Sequence, residues 1–157
     1  MKILDGKKTA NRILVKLKKR LDKTNVKPTL AVILVGNDEA SHIYVKIKER
    51  TCKQVGIGFE KFVFDDSAKQ NDIIGLVKKL NADKKINGII VQLPLPSHLN
   101  TDLIISTIDV KKDVDGLHPE NLGKLLIGES TIIPPTPAAV LEILKSSSPK
   151  AGAIWTM

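Results

Sequence analysis

The chain has 157 residues, which is enough for one domain with a buried core, and 42% hydrophobic with 27% charged residues is an ordinary globular balance. It contains no apolar run long enough to cross a bilayer and no signal-peptide pattern, so we expect a cytoplasmic protein with no membrane partner. The net charge of +8 comes mostly from lysines, and aromatic residues are only 3%, which disfavours a nucleic-acid surface built on arginine forks and stacked bases.

Apolar spacing predicts the secondary structure in chain order. A helix over residues 10–21 precedes a buried strand over 30–35, a helix over 40–55 and a strand over 59–64. A helix over 73–81, a buried strand over 88–91, a short helix over 103–108 and a long loop over 109–135 follow. Thr136 is predicted to cap a last helix that turns Val140, Leu141 and Leu144 inward. Strands that alternate with helices indicate an α/β fold, a three-layer βαβ domain with a mainly parallel sheet.

Lys48 lies in the helix predicted over residues 40–55, at a position where an apolar residue is expected. Seven residues spaced three and four apart form a predicted apolar stripe: Ala40, Ile43, Tyr44, Ile47, Thr51, Cys52 and Val55. Lys48 falls inside this stripe, one turn after Tyr44. An amine among apolar side chains is partly desolvated, which disfavours its charged form and suits it to acid–base chemistry. The alternative is that Lys48 lays its stem on the stripe and keeps its amine in water.

Polar residues follow two of the predicted strands or lie in the loop beyond them, where parallel sheets bind ligands. Gln92 leaves the strand over 88–91 and offers an amide that could hold the Lys48 amine, a ligand or loose backbone groups. Asp113 and Asp115 are separated by one residue, so on an extended stretch only one of them faces the cleft. The alternative for this pair is an Asp-rich turn.

Neither metal binding nor disulfide formation is predicted. His42, His98 and His118 share no metal-ligand spacing. Cys52 is the one cysteine, and we expect it to pack as a small hydrophobe.

Three runs together resemble one family. VGNDEASHIYVKIK over residues 35–48, GIIVQLPLP over 88–96 and KDVDG over 112–116 are similar to the motifs of the bifunctional methylenetetrahydrofolate dehydrogenase/methenyltetrahydrofolate cyclohydrolase family, in its order and at similar separations. The resemblance covers about residues 4–145. It implies a folate-binding catalytic domain over residues 1–145, an unmatched tail over 146–157 and an enzyme of one-carbon metabolism that forms a homodimer.

The resemblance also implies residue roles. Lys48 would act in proton transfer, Gln92 would contact it and tune its protonation, and Tyr44 would pack against the folate. Asp115 would bind the polar edge of the pterin. The residues implied to line the same cleft are Ser41, Val91 and Leu93.

Some features depart from the family. Pro135 stands where the family usually has a cysteine, and Ala139 stands where it usually has a glycine. Family members continue into a Rossmann domain that holds NADP or NAD, and no Gly-rich dinucleotide fingerprint occurs in these residues. We therefore expect no cofactor-binding residues in this chain and no dehydrogenase step from it alone. A folate-binding remnant without turnover and a basic nucleic-acid-binding domain are the alternative functions.

Overall fold

Strands and helices alternate along the first two thirds of the chain, as the sequence predicts. The computed structural model describes residues 4–129 and 132–147. The strands are β1 (Thr29–Val35), β2 (Gly58–Phe64) and β3 (Gly88–Val91). The helices are α1 (Gly6–Leu21), α2 (Glu39–Val55), α3 (Gln70–Ala82), α4 (Thr101–Ser106), α5 (Pro119–Leu126) and α6 (Pro135–Ser147).

The three strands form one parallel sheet in the order β2-β1-β3. Ile33, in the middle of β1, pairs with Phe62 on one side and Val91 on the other. The central strand β1 is an apolar run of which the last five residues are buried, as expected for a strand covered on both faces. The predicted α/β class with a parallel sheet is confirmed.

Helices cover both faces of the sheet, which gives the three predicted layers. On one face, Ile33 and Ile89 join a large core with Ile73 of α3 and Ile104 of α4. On the other face, a smaller cluster is formed by Val32, Leu34, Ile90 and, from α2, Val45. Helix α1 packs against α2 and α6 outside the sheet.

The predicted apolar stripe of α2 is wrong as a buried face. Ile43, Tyr44 and Ile47 are 51%, 59% and 55% exposed. The buried residues of the helix are Ser41, Val45, Cys52 and Val55, so only the last two belong to the predicted stripe and its first half is exposed. Helical spacing identifies a row of apolar residues, but it does not say whether the row packs on the domain's own core. The half-buried Lys48 lies in the buried row, three residues after Val45 and four before Cys52.

The loop predicted over residues 109–135 is also wrong in part, because it contains α5. Its N-cap is His118, whose Nδ1 accepts a hydrogen bond from the Glu120 N–H at 3.1 Å, and Pro119 begins the helix. Histidine is not among the usual capping residues, so the cap itself does not announce this helix, and Pro119 at its first position is the remaining start signal.

The last helix differs from its prediction in start and facing. It begins at Pro135 rather than after a Thr136 cap, and Ala138 N–H donates to the Pro134 carbonyl at 3.0 Å. Val140 and Leu141 are exposed and not inward, while Leu144 is half-buried. Residues 148–157 of the predicted tail lie outside the described residues.

Candidate active site

The polar residues singled out in the sequence meet where β1 and β3 end. Gln92 follows β3, and its backbone N–H donates to the Ile33 carbonyl at 2.8 Å, which extends the sheet ladder by one bond. The turn after β1 leads into α2, with Gly36 at a positive φ of 81°. Since the strands are parallel, both segments leave the same edge of the sheet.

Asp38 is the N-cap of helix α2. The Asp38 Oδ2 accepts a hydrogen bond from the Ser41 N–H at 2.7 Å, and hydrogen bonding from Ser41 holds the pKa of the Asp38 carboxyl below its usual value. Packing of Val45 on β1 sets the rotation of the helix, so that the buried Ser41 and, two turns later, the half-buried Lys48 lie on its inward side.

Lys48 and Gln92 are in direct contact. The Lys48 Nζ donates to the Gln92 Oε1 at 2.7 Å. The other end of the Gln92 amide donates to the Leu93 carbonyl at 2.7 Å, and the same carbonyl accepts from the Ser41 Oγ at 3.3 Å. The amide is therefore oriented with its oxygen toward the lysine. A neutral amide oxygen holds the amine in place but does not balance its charge, whereas a carboxylate would form an ion pair with it.

Asp115 is the nearby ionisable partner of this group. The side chain is half-buried, and burial raises the pKa of its carboxyl above the usual value. The charge of Lys48 acts in the opposite direction, and that of Asp113 adds to the rise. Ser41, Lys48, Gln92 and Leu93 are linked by hydrogen bonds, and the Asp115 carboxyl interacts electrostatically with Lys48. We call these five residues the strand-end cluster.

Asp113 has a different environment from Asp115. It is 1% exposed, and its Oδ2 accepts from the His118 N–H and from the Asn121 Nδ2, both at 2.8 Å. Gly116, at a φ of 66°, completes the turn. The two acids thus face different surroundings, as their spacing predicts, and the inner one is used by the protein itself.

Tyr44 and Val91 are outside the cluster's hydrogen bonds. Tyr44 lies one turn before Lys48 on α2 and is exposed, which leaves its ring accessible to a ligand. Val91 is buried in the core on the α3 side of the sheet, whereas Lys48 approaches from the α2 side. The structure therefore does not bring the Val91 side chain together with the other predicted residues.

One supporting residue was missed from the sequence. Asn121 of α5 is buried and donates to both Asp113 and the Val110 carbonyl, at 2.8 and 3.1 Å. Its signal depended on predicting α5, because a polar residue in a presumed loop carries no information about burial. Recognising Pro119 as a first helical residue would have supplied that signal.

The described residues do not fit a metal or a dinucleotide at this edge. Within residues 4–129 and 132–147, no group of three His, Cys, Asp or Glu side chains could hold an ion, and no helix is long and apolar enough to span a membrane. The turn between β1 and α2 is where such a sheet would seat a diphosphate. Asp38 caps that helix and Glu39 follows in its first turn, so two acids would oppose the anion.

Comparisons with known proteins point to one family. Residues 4–115 match the family model described as tetrahydrofolate dehydrogenase/cyclohydrolase, catalytic domain. The chain is 45% identical over 149 residues to the bifunctional protein FolD of Acetivibrio thermocellus, covering 93% of this chain and 52% of that protein. It is 46% identical over 148 residues to the protein of the same name from Campylobacter concisus, covering 92% and 52%.

Solved structures agree with this. The bifunctional FolD methylenetetrahydrofolate dehydrogenase/cyclohydrolase from Campylobacter jejuni superposes with a TM-score of 0.89 at 42% identity, covering 94% of this chain and 54% of that one. The Trypanosoma brucei enzyme, solved with NADP and an inhibitor, gives 0.86 at 31% identity, covering 91% and 50%. The chain thus spans about half the length of the relatives it matches.

Proposed function

The chain belongs to the tetrahydrofolate dehydrogenase/cyclohydrolase family of one-carbon metabolism, and on that premise we propose that its strand-end cluster binds a reduced folate with a one-carbon bridge and hydrolyses the methenyl form. The observation that carries the proposal is the 2.7 Å hydrogen bond from the Lys48 Nζ to Gln92, beside a desolvated Asp115. A hydrogen-bonded amine together with an acid whose pKa is raised by burial is a combination typical of catalytic sites.

Hydrolysis of the methenyl bridge requires a proton carrier. Water adds to the bridging carbon, one C–N bond breaks, a formyl group remains on one nitrogen and a proton is released. Lys48 is our candidate for moving that proton, because its amine is half-buried and hydrogen-bonded to a neutral amide rather than to a carboxylate. Gln92 accepts from the amine in either protonation state, so it can hold the nitrogen in place throughout the reaction.

Asp115 and Tyr44 are proposed to bind the pterin. The pterin edge carries neighbouring N–H donors, and a carboxylate can accept two of them in parallel. The exposed Tyr44 ring, one turn from Lys48, offers an apolar surface for a flat ligand. Ser41 and Leu93 support the site through their hydrogen bond to each other. Val91 remains in the proposal only through its backbone, since its side chain lies in the core.

We propose that residues 1–157 alone do not carry out the dehydrogenase step. Relatives in the family use NADP or NAD, and the Trypanosoma brucei enzyme was solved with NADP. The two acids at the start of α2 disfavour a diphosphate at the sheet edge. Production of reduced cofactor from methylenetetrahydrofolate by the purified 157-residue chain would contradict this.

Homodimer formation, implied by the family, is likewise a proposal, tested by sedimentation equilibrium.

The proposed function is tested by an assay of methenyltetrahydrofolate hydrolysis, in which the decrease of the substrate's absorbance gives the rate. Lys48→Met keeps the side-chain length and removes the amine, and we expect a loss of about 100-fold or more in rate above the uncatalysed background. Lys46→Met makes the same change at an exposed position of the same helix and should leave the rate unchanged. If wild type binds methenyltetrahydrofolate without hydrolysing it, the chain is a folate-binding remnant. Equal rates for Lys48→Met and wild type would reject Lys48 as the proton carrier.

A further inference from the structure

We propose that Lys112 is a positioning residue that holds Asp115 in the strand-end cluster by fastening the turn of residues 112–116 to the end of α3. The inference rests on the proposed function, because it is there that Asp115 binds the pterin. Lys112 does not touch the cluster itself through any hydrogen bond found among the described residues. Its effect would pass through the backbone of the turn.

The Lys112 amine caps the C-terminal end of α3. Its Nζ donates to the carbonyls of Leu80, Asn81 and Asp83, at 2.9, 2.8 and 2.7 Å. The Leu80 and Asn81 carbonyls belong to the last turn of α3, where terminal carbonyls lack partners within the helix and carry its partial negative charge, so a cation is favoured there. The Asp83 carbonyl follows the helix and also accepts from the Ile86 N–H at 3.2 Å. An ammonium group has three N–H donors, and all three are used. Lys112 is therefore committed to the protein and has no donor left for a ligand.

The backbone of Lys112 is hydrogen-bonded to the sheet, in addition to the bonds of its side chain to α3. Its carbonyl accepts from the Ile89 N–H at 2.7 Å, and its own N–H donates to the Asp109 carbonyl at 2.7 Å. The next residue, Asp113, forms an isolated parallel bridge with Ile89. Lys112 thus joins two elements, α3 and β3, at the point where the turn begins.

The turn of residues 112–116 also contacts β3 through Val114, which lies over Gly88. A methyl group added to Gly88 would lie 2.6 Å from the Val114 Cγ1, which is closer than packed carbon atoms approach. Val114 is therefore in close contact with the backbone of the strand, and Asp115 follows it directly. Lys112 and Asp115 are three residues apart, and the segment between them contacts β3 at Ile89 and Gly88 while Val114 is still 37% exposed, so a shift at Lys112 would reach the Asp115 carboxylate through the backbone of the turn.

The experiment is a double-mutant cycle on the 157-residue chain, with tetrahydrofolate as the titrated ligand in calorimetry. Lys112→Met should weaken binding about fivefold or more, whereas the neighbouring exposed Lys111→Met should change it by less than about twofold. In the Asp115→Asn background, Lys112→Met should have no further effect, because its influence passes through Asp115. A loss of the same size in both backgrounds would show a merely structural role and overturn the proposal.

Two further measurements keep the test decisive. If Lys112→Met does not fold, Lys112→Arg is used in its place. A planar guanidinium does not converge on three carbonyls as an ammonium does. Lys112→Arg should therefore weaken tetrahydrofolate binding by less than Lys112→Met, and this loss should vanish in the Asp115→Asn background. If wild type binds no tetrahydrofolate, the proposed function fails, and NMR of the Asp115 carboxyl decides the inference. Lys112→Met should then bring the pKa of Asp115 down toward its usual value as the turn loosens, and an unchanged titration would overturn the proposal.

Discussion

The two faces of the sheet are built differently. The face under α3 and α4 is covered by a large cluster of apolar side chains, in which Ile73 and Ile104 are fully buried. The face under α2 has a smaller core, and its helix leaves Ile43, Tyr44 and Ile47 exposed while it turns Lys48 toward the sheet edge. One face therefore supplies most of the burial that stabilises the fold, and the other presents the polar groups.

This division has a physical reason. A half-buried amine and a half-buried carboxyl each lose hydration, which costs free energy that they do not recover fully from each other. A domain can hold such groups only if the rest of its core is well packed. The complete core on the α3 side offsets what the α2 side gives up, and the following predictions test this division.

The largest expected effect is on stability. Ile104→Ala removes a side chain that is 0% exposed in the α3-side core and should lower the free energy of unfolding by about 2–5 kcal/mol. Ile47→Ala, on the exposed row of α2, should change it by less than about 0.5 kcal/mol. Urea unfolding of the two variants measures both values. Similar losses would mean that the exposed row of α2 is packed in solution and that the two faces are not distinct.

The next effect separates the two acids of the turn. Asp115→Ala should cost about 1.5–3 kcal/mol of tetrahydrofolate binding, because a charge-assisted pair is lost. Asp113→Ala should instead cost about 1–3 kcal/mol of stability, since it leaves the His118 N–H and the buried Asn121 amide unpaired. Calorimetry and urea unfolding on both variants measure the two quantities. A larger binding loss for Asp113→Ala would reverse the assignment.

The smallest effect is the pH dependence that Asp115 contributes. Because burial raises its pKa in the folded chain, the folded state binds more protons than the unfolded state between the usual carboxyl pKa and the raised one. Stability therefore falls as pH rises through this window. Asp115→Asn should raise the free energy of unfolding at neutral pH by less than about 1 kcal/mol, and this gain should shrink as pH falls below the window. A gain that is independent of pH would contradict this origin.

The sequence was most informative where a pattern had one physical meaning. The apolar run Gly88–Val91 is short and rich in β-branched residues, which favours a buried strand, and its bounds agree with β3. A contact between Gln92 and Lys48 could be stated as a hypothesis because parallel strands end at the same side of a sheet, which brings the segments after β1 and β3 together. In the structure, the Lys48 Nζ lies 2.7 Å from the Gln92 Oε1.

The sequence failed where burial depends on distant parts of the chain. The row of Ile43, Tyr44 and Ile47 has the spacing of a buried face, yet packing of α2 on β1 selects the row of Val45 instead. Helix α5 begins at an unusual histidine cap, and without reading Pro119 as its first residue both the helix and Asn121 were missed. The committed position of the Lys112 amine depends on the end of α3, some thirty residues earlier.

The most direct test of the central claim is a titration of the isotope-labelled chain with tetrahydrofolate, followed by backbone NMR. We expect saturable shifts at Ser41, Gln92, Leu93 and Asp115, and none in the α3-side core around Ile104. We also expect no shifts at the apolar cavity of about 280 Å³ between α1 and α6, which is lined by Ala10 and Ala138 among others. Shifts confined to that cavity, or a chain that shows no saturable shift, would contradict the claim that the strand-end cluster is the folate site.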